Sequence, residues 1–315
     1  MFAYLVRRFI TLLVTLLFSS ILIFVVINII PGDPAQIILG TEATLETLAR
    51  VRAKLGLDRP AVVRYIEWLK NIILHGDFGR SINYDLPISS LIASRLLVTG
   101  PLALMAIFFT IIISIPLGIY AATHHNRFGD YTTMFFSQIG LAIPEFWFGI
   151  LLIIGFAVHW NLFPAGGFTR WSENPLESLR ALFLPALALG LIRAAIITRM
   201  TRSSILEVLR EDYVRTARSK GLPERVVIYK HVLRNALISV VTILGLQLGQ
   251  LIAGAIIIET VYYLPGMGRL VMLAINQRDL PVVQGIVLFI AAVIVIVNFI
   301  VDLLYGLLDP RIRYD

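Results

Sequence analysis

Residues 199–235, RMTRSSILEVLREDYVRTARSKGLPERVVIYKHVLRN, set a densely basic, helix-forming segment between two long apolar runs. The segment holds nine basic residues (Arg199, Arg202, Arg210, Arg215, Arg218, Lys220, Arg225, Lys230, Arg234) against four acidic ones (Glu207, Glu211, Asp212, Glu224). Such an excess between apolar spans marks a cytoplasmic connection under the positive-inside rule. A membrane chain interrupted in this way presents a docking surface to the cytoplasm, and that orients the rest of the molecule.

The flanking apolar runs carry the reading outward. Of 315 residues, 58% are hydrophobic and only 15% charged, and the mean hydropathy is +0.84. That is more apolar surface than one water-soluble core of this length buries. A bilayer span takes about 20 apolar residues, and such runs lie at 9–30, 97–121, 131–158, 182–202, 236–258 and 282–308. They are too long and too continuously apolar for barrel strands. The predicted fold class is an all-α integral membrane protein of about six transmembrane helices. The first run follows Arg7 and Arg8 and lacks a small-residue cleavage site, so it reads as a span and not as a signal peptide.

A six-span chain starting inside places 122–130, 199–235 and the C-terminus, with Arg311 and Arg313, in the cytoplasm. The connections left outside are balanced, with Arg170 and Arg180 against Glu173 and Glu177, and Arg269 and Arg278 against Glu259 and Asp279. The net charge of +7 therefore reflects topology and anionic lipid headgroups, and requires no nucleic-acid partner. Zero cysteine excludes disulfides, thiolate metal sites and cysteine nucleophiles.

The chain divides into an N-terminal transmembrane helix (1–30), an extracytoplasmic insertion (31–95) and a core (96–315) containing the cytoplasmic loop 203–235. The insertion is nearly charge-balanced and turn-rich, beginning with PGDP at 31–34. Leu45, Leu48 and Leu55 share a helical face that ends at Gly56; Val62, Tyr65, Ile66, Leu69 and Ile73 repeat the pattern before Gly76. Two short amphipathic helices are expected, as a cap lying on the membrane surface or as a contact surface for an external partner.

Within the basic loop, Ser204 and Glu207 have capping-box spacing, so a new helix is expected to begin there. Ile205, Leu209, Tyr213 and Ala217 then recur every four residues as a packing stripe. Gly221 supplies the left-handed residue that ends a helix, and Pro223 with Glu224 suits the first turn of another. The expected product is helix, glycine turn, helix.

The run Glu211-Asp212-Tyr213-Val214-Arg215-Thr216-Ala217-Arg218-Ser219-Lys220-Gly221, followed by His231-Val232-Leu233-Arg234-Asn235-Ala236, resembles the EAA loop of ABC-importer permeases of the dipeptide, oligopeptide and nickel transport family. The likeness covers essentially the whole chain, through Arg7-Arg8, PGDP, LGLDRP (55–60), GDFGRS (76–81), LPALALG (184–190), RSSILEVL (202–209), PGMGRL (265–270) and DPRIR (309–313). It implies the type I importer permease fold in a multi-pass subunit of a bacterial or archaeal cytoplasmic membrane, with both termini cytoplasmic. It further implies partnership with a second homologous permease subunit, two ABC ATPase subunits that bind ATP and Mg, and an extracytoplasmic substrate-binding protein. The residues it assigns to ATPase coupling are Glu211, Asp212, Tyr213, Thr216, Ala217, Arg218, Gly221 and Leu222. On that assignment Gly221→Pro or Ala217→Trp should uncouple ATP hydrolysis from transport. Contact with the binding protein falls to the outer loop with Glu259, Pro265, Gly266, Arg278 and Asp279, where Leu264 and Leu280 depart from the aromatics usual in the family.

No Walker-type G-x-x-x-x-G-K-[ST] occurs in the chain, so no ATP site is expected in it. Glu145, beside Pro144, and Arg193 fall near mid-bilayer, where an ionisable group faces a partner or a watery cavity. They are expected either to line the translocation path or to form a structural pair. Pro101, Pro116, Pro144 and Pro185 read as ordinary kink sites. His124 and His125 share a short inner loop, while His75, His159 and His231 are isolated, and no metal site is assigned. Peptides lead as cargo, with nickel, nickel chelates and glutathione as alternatives. A stand-alone secondary transporter would require inverted repeats and broken helices, and a membrane enzyme would require a nucleophile with its base; the sequence displays neither.

Overall fold

The computed structural model describes residues 2–29, 35, 44–54 and 57–308. The expected PGDP turn, the helix stop at Gly56 and the terminal DPRIR lie outside the described residues. Among the described residues the regular structure is helical, apart from an isolated bridge between Arg80 and Pro87.

In chain order the helices are α1 (Phe2–Ile29), α2 (Leu45–Lys54), α3 (Ala61–His75), α4 (Ile88–Thr123), α5 (Phe128–Ala142), α6 (Glu145–His159), α7 (Pro175–Val208), α8 (Asp212–Ser219), α9 (Glu224–Val261), α10 (Met267–Asn276) and α11 (Leu280–Leu308). The two amphipathic helices of the insertion form as expected, and α3 ends at Gly76 with φ 62°. α4, however, starts at Ile88, inside the insertion as the sequence delimited it.

α1, α4, α7, α9 and α11 are each long and apolar enough to span. The expected continuous span at 131–158 is instead a bent pair: α5 and α6 meet at 104°. Pro144 is the physical cause. Its ring disfavours helical backbone at the residue before it, and Ile143 is extended at φ −86° and ψ 126°, with Pro144 itself the N-cap of α6. Pro101, Pro116 and Pro185 stay inside their helices. A broken helix, which the sequence did not reveal, is thus present.

α7 is the central element. It packs along α4, where a Cβ on Gly190 would lie 2.8 Å from the Ala106 carbonyl oxygen and 2.9 Å from Phe109 Cβ, and Thr110 Oγ1 donates to the Gly190 carbonyl at 3.1 Å. Small residues at such crossings let helices in lipid gain dispersion contact, since the hydrophobic effect does not drive their association there. Leu102, Leu182, Leu189, Leu251 and Ile258 fill the core between α4, α7 and α9. α1 joins at the edge through α11, with an Arg8–Asp302 ion pair at 2.9 Å and Phe9 edge-on to Phe299.

Candidate functional site

On the basic loop, α7 does not stop at Ser204. It runs to Val208, and Ser204 Oγ donates to the Ala236 carbonyl of α9 at 3.0 Å. The capping-box reading fails because this hydroxyl ties two helices together and starts none. The chain turns at 209–211 and α8 follows from Asp212, so the expected stripe from Ile205 to Ala217 is interrupted. α8 is seated instead by Val214 and Ala217, which are buried with Ala122, Ile205, Val227 and Val232 where α4, α7 and α9 end. A valine such as Val214 contributes about 1.5–3 kcal/mol when fully buried, and the alanine methyls less.

The opposite face of α8 is open. Glu211, Asp212, Tyr213, Thr216, Arg218, Gly221 and Leu222 are exposed, whereas Ala217 is not. Ala217→Trp would therefore dislodge α8 from its own seat, and it is no clean probe of a partner. Gly221 holds φ 75°, with its N–H donating to the Arg218 carbonyl at 2.9 Å. Arg218 Nη2 donates to Glu224 Oε1 at 2.6 Å, and this carboxylate raises the guanidinium above its ordinary pKa. Asn235 Nδ2 donates to the Tyr213 hydroxyl at 2.6 Å. The short helix is thus linked across the glycine turn to α9 at Glu224 and at Asn235.

A second polar assembly, which sequence reasoning missed, braces the same end of the molecule. Asp130, 1% exposed, accepts from Arg202 Nη2 at 2.6 Å and the Asn126 N–H at 3.0 Å, with His125 Nδ1 3.2 Å from the same carboxylate. Arg202 Nε bonds its other oxygen, giving the bidentate geometry that makes Arg–carboxylate pairs strong. The signal was in the sequence as an acid among basic residues, but its partner lies far along the chain.

At the break, Glu145 opens α6 and pairs with Arg193 of α7. Arg193 also donates to Gln250 Oε1 at 2.9 Å, Gln247 Oε1 at 3.3 Å and the Gln250 carbonyl at 3.3 Å. The two glutamines, one helical turn apart in an apolar run, were a legible but overlooked signal. A cleft of ≈ 190 Å³ beside Arg193, Gln247 and Thr110 is lined for the rest mainly by aliphatic side chains such as Ile107, Leu248 and Val301.

The loop assigned by the sequence to the binding protein is mostly buried. Glu259 is fully buried and accepts from Thr99 Oγ1, the Gly268 N–H at 2.7 Å and the Arg269 N–H at 3.2 Å. Its carboxylate sits at the positive end of α10. A Cβ on Gly266 would collide with that carboxylate, so Gly266 is a packing residue. Asp279 is also fully buried, accepting Ser81 Oγ at 2.5 Å, the Ile82 N–H at 3.2 Å and the Asn83 N–H at 3.1 Å, and it pins GDFGRS to the start of α11. Arg278 is exposed and Pro265 half-buried, so of the five only these two offer surface. Leu264 is fully buried, which suits the aliphatic residue there.

A short helix seated at one end of a set of spans and a capped loop at the other form one scaffold, and comparison with known proteins gives its family. Residues 114–314 match the family described as binding-protein-dependent transport system inner membrane component, and residues 1–99 match its N-terminal companion. The chain belongs to that family. A putative peptide transport system permease protein of Brucella abortus (strain 2308) is 44% identical over 315 residues, covering all of both chains. The dipeptide transport system permease protein DppB of Escherichia coli (strain K12) is 40% identical, covering 100% of this chain and 99% of its own. The crystal structure of an amino acid ABC transporter with histidines aligns at TM-score 0.50 and 15% identity over 71% of this chain and 94% of that one, a likeness of fold alone. This family member is therefore a multi-pass inner-membrane component of an ABC importer with the type I permease fold. As a transporter's membrane component it forms a translocation pathway and is not itself the enzyme.

Proposed function

We propose that this family member is half of the translocation pathway for di- and oligopeptides, paired with a second homologous permease subunit, two ATPase subunits that bind ATP and Mg, and an extracytoplasmic binding protein. The observation that carries the coupling role is the seating of α8. Val214 and Ala217 lock it against the ends of α4, α7 and α9, while Asp212, Tyr213, Thr216 and Arg218 face outward. A push on the exposed face reaches the spans because the buried face cannot slide. Peptides are favoured as cargo by full-length similarity to relatives named for peptide and dipeptide transport.

The ≈ 190 Å³ cleft beside Arg193 is smaller than the roughly 300 Å³ at which small-molecule sites begin. This fits a half-pathway that a second subunit completes. In this reading Glu145 and Arg193 neutralise each other at the break and separate as the pathway opens. The basic loop and both termini face the cytoplasm. The tagged chain, coexpressed with its neighbours and reconstituted in proteoliposomes, should copurify with ATPase subunits and take up labelled dipeptide only with ATP and binding protein. Uptake by the lone chain without ATP, or uptake of nickel in place of peptide, would overturn the reading.

A further inference from the structure

α3 meets α1 at three successive heights, and the contacts fix both its level and its roll. Tyr65 Oη lies 2.8 Å from Ser20 Oγ, the Phe24 ring packs at 5.3 Å on Tyr65 and 6.0 Å on Trp68, and Arg64 Nη2 donates to Asn28 Oδ1 at 2.6 Å. Ser20, Phe24 and Asn28 are spaced about 6 Å apart along α1. All three are reached from a single turn of α3, so α3 crosses α1 at the level of Phe24, about 6 Å inside Asn28.

The roll follows from two neighbouring side chains. Arg64 reaches towards the end of α1, and Tyr65 towards its middle. At about 100° per residue, the side of Arg64 continues through Asn71 and His75 and is polar. Beyond Tyr65, on the side away from Arg64, come Val62, Ile66, Leu69 and Ile73. Val62, Ile66 and Ile73 are 68%, 58% and 70% exposed. This apolar stripe therefore points towards the middle of the span, alongside the exposed Phe18, Ile21 and Leu22 of α1.

We propose that α3 lies in the plane of the bilayer with Val62, Ile66 and Ile73 inserted among lipid acyl chains, held at its depth by Ser20, Phe24 and Asn28. Interfacial amphipathic helices bury their apolar face about 5–10 Å into the headgroup–acyl boundary, the level at which Phe24 holds this one. Trp68 and Tyr65 occupy the belt that amphipathic aromatics prefer. α3 is thus embedded in the leaflet, neither resting on the membrane surface nor offering its stripe to an external protein.

The absence of native cysteine permits a direct test. Single cysteines at Val62, Ile66, Ile73, Glu67 and Asn71 would be spin-labelled in the assembled transporter in lipid nanodiscs, and relaxation by oxygen compared with relaxation by a water-soluble nickel chelate. Oxygen should dominate at 62, 66 and 73, with the ratio inverted at 67 and 71. Nickel dominating at 62, 66 and 73 would place the stripe in water, and shielding from both reagents would place it under protein; either result overturns the proposal. Three independent stripe positions guard against one misfolded variant, and the outcome leaves the uptake test of peptide transport untouched.

Discussion

The buried charges of this chain hold backbone and helix ends, and their substitution should read out as lost stability before lost recognition. Removing one partner of a fully buried ion pair costs about 3–5 kcal/mol, an upper bound for Arg193 and Glu145, whose side chains are 10% and 18% exposed. Glu145→Gln leaves Arg193 facing only Gln247 and Gln250, so it should lower the thermal unfolding midpoint in detergent. If the pair also separates during transport, the uptake rate should change at matched expression; unchanged uptake with lower stability would make it a structural pair only. Gly266→Ala drives a methyl into the Glu259 carboxylate, an overpacking that costs about 1–3 kcal/mol. Its signature should be faster proteolysis of the outer loop in the isolated chain. Glu259 and Asp279 were legible in the sequence as charged residues in an outer loop. Their burial was not, because the donors that satisfy them, the N–H groups of 268–269 for one and the Ser81 hydroxyl with the N–H groups of 82–83 for the other, are brought near only by folding.

At the scale of elements, α8 is a short helix that is stable only because it is seated. Eight residues are too few for an isolated helix in water, and α8 spans Asp212–Ser219. Gly221 has φ 75° with nothing within 4 Å of an added Cβ, so Gly221→Ala meets backbone strain and no clash. It should cost about 1–2 kcal/mol and lower transport per ATP hydrolysed, measured as the ratio of uptake to phosphate release in proteoliposomes. Tyr213→Phe, which removes the acceptor for Asn235, should weaken the same ratio while leaving membrane insertion intact. The glycine turn was readable from composition. The start of α8 was not, because the Ser204 hydroxyl has a tertiary acceptor on α9 that outcompetes a local cap. The break between α5 and α6 had its cause in Pro144, yet the other three prolines named above sit inside uninterrupted helices, so proline alone does not announce a 104° bend.

For the molecule as a whole, the expected arrangement puts α8 and the basic loop on the cytoplasmic side. A single cysteine at Thr216, exposed on α8, should react with a membrane-impermeant maleimide in inverted vesicles and not in right-side-out ones; the opposite pattern would reverse the topology. The sequence by itself determined that the chain lives in a bilayer, roughly where its long apolar helices fall, and that a basic segment with a glycine turn lies between two of them, because hydropathy, charge bias and glycine act locally and are written residue by residue. Only the tertiary structure decided that the third span is bent, that Glu145 meets Arg193, that Asp130 holds Arg202, and that Glu259 and Asp279 cap helices and are not exposed to a partner. Apart from the bend, whose cause at Pro144 is local, each of those depends on donors and acceptors contributed by residues apart in the chain. In a low-dielectric interior a polar group goes wherever its partner is, and no local pattern states where that partner will be.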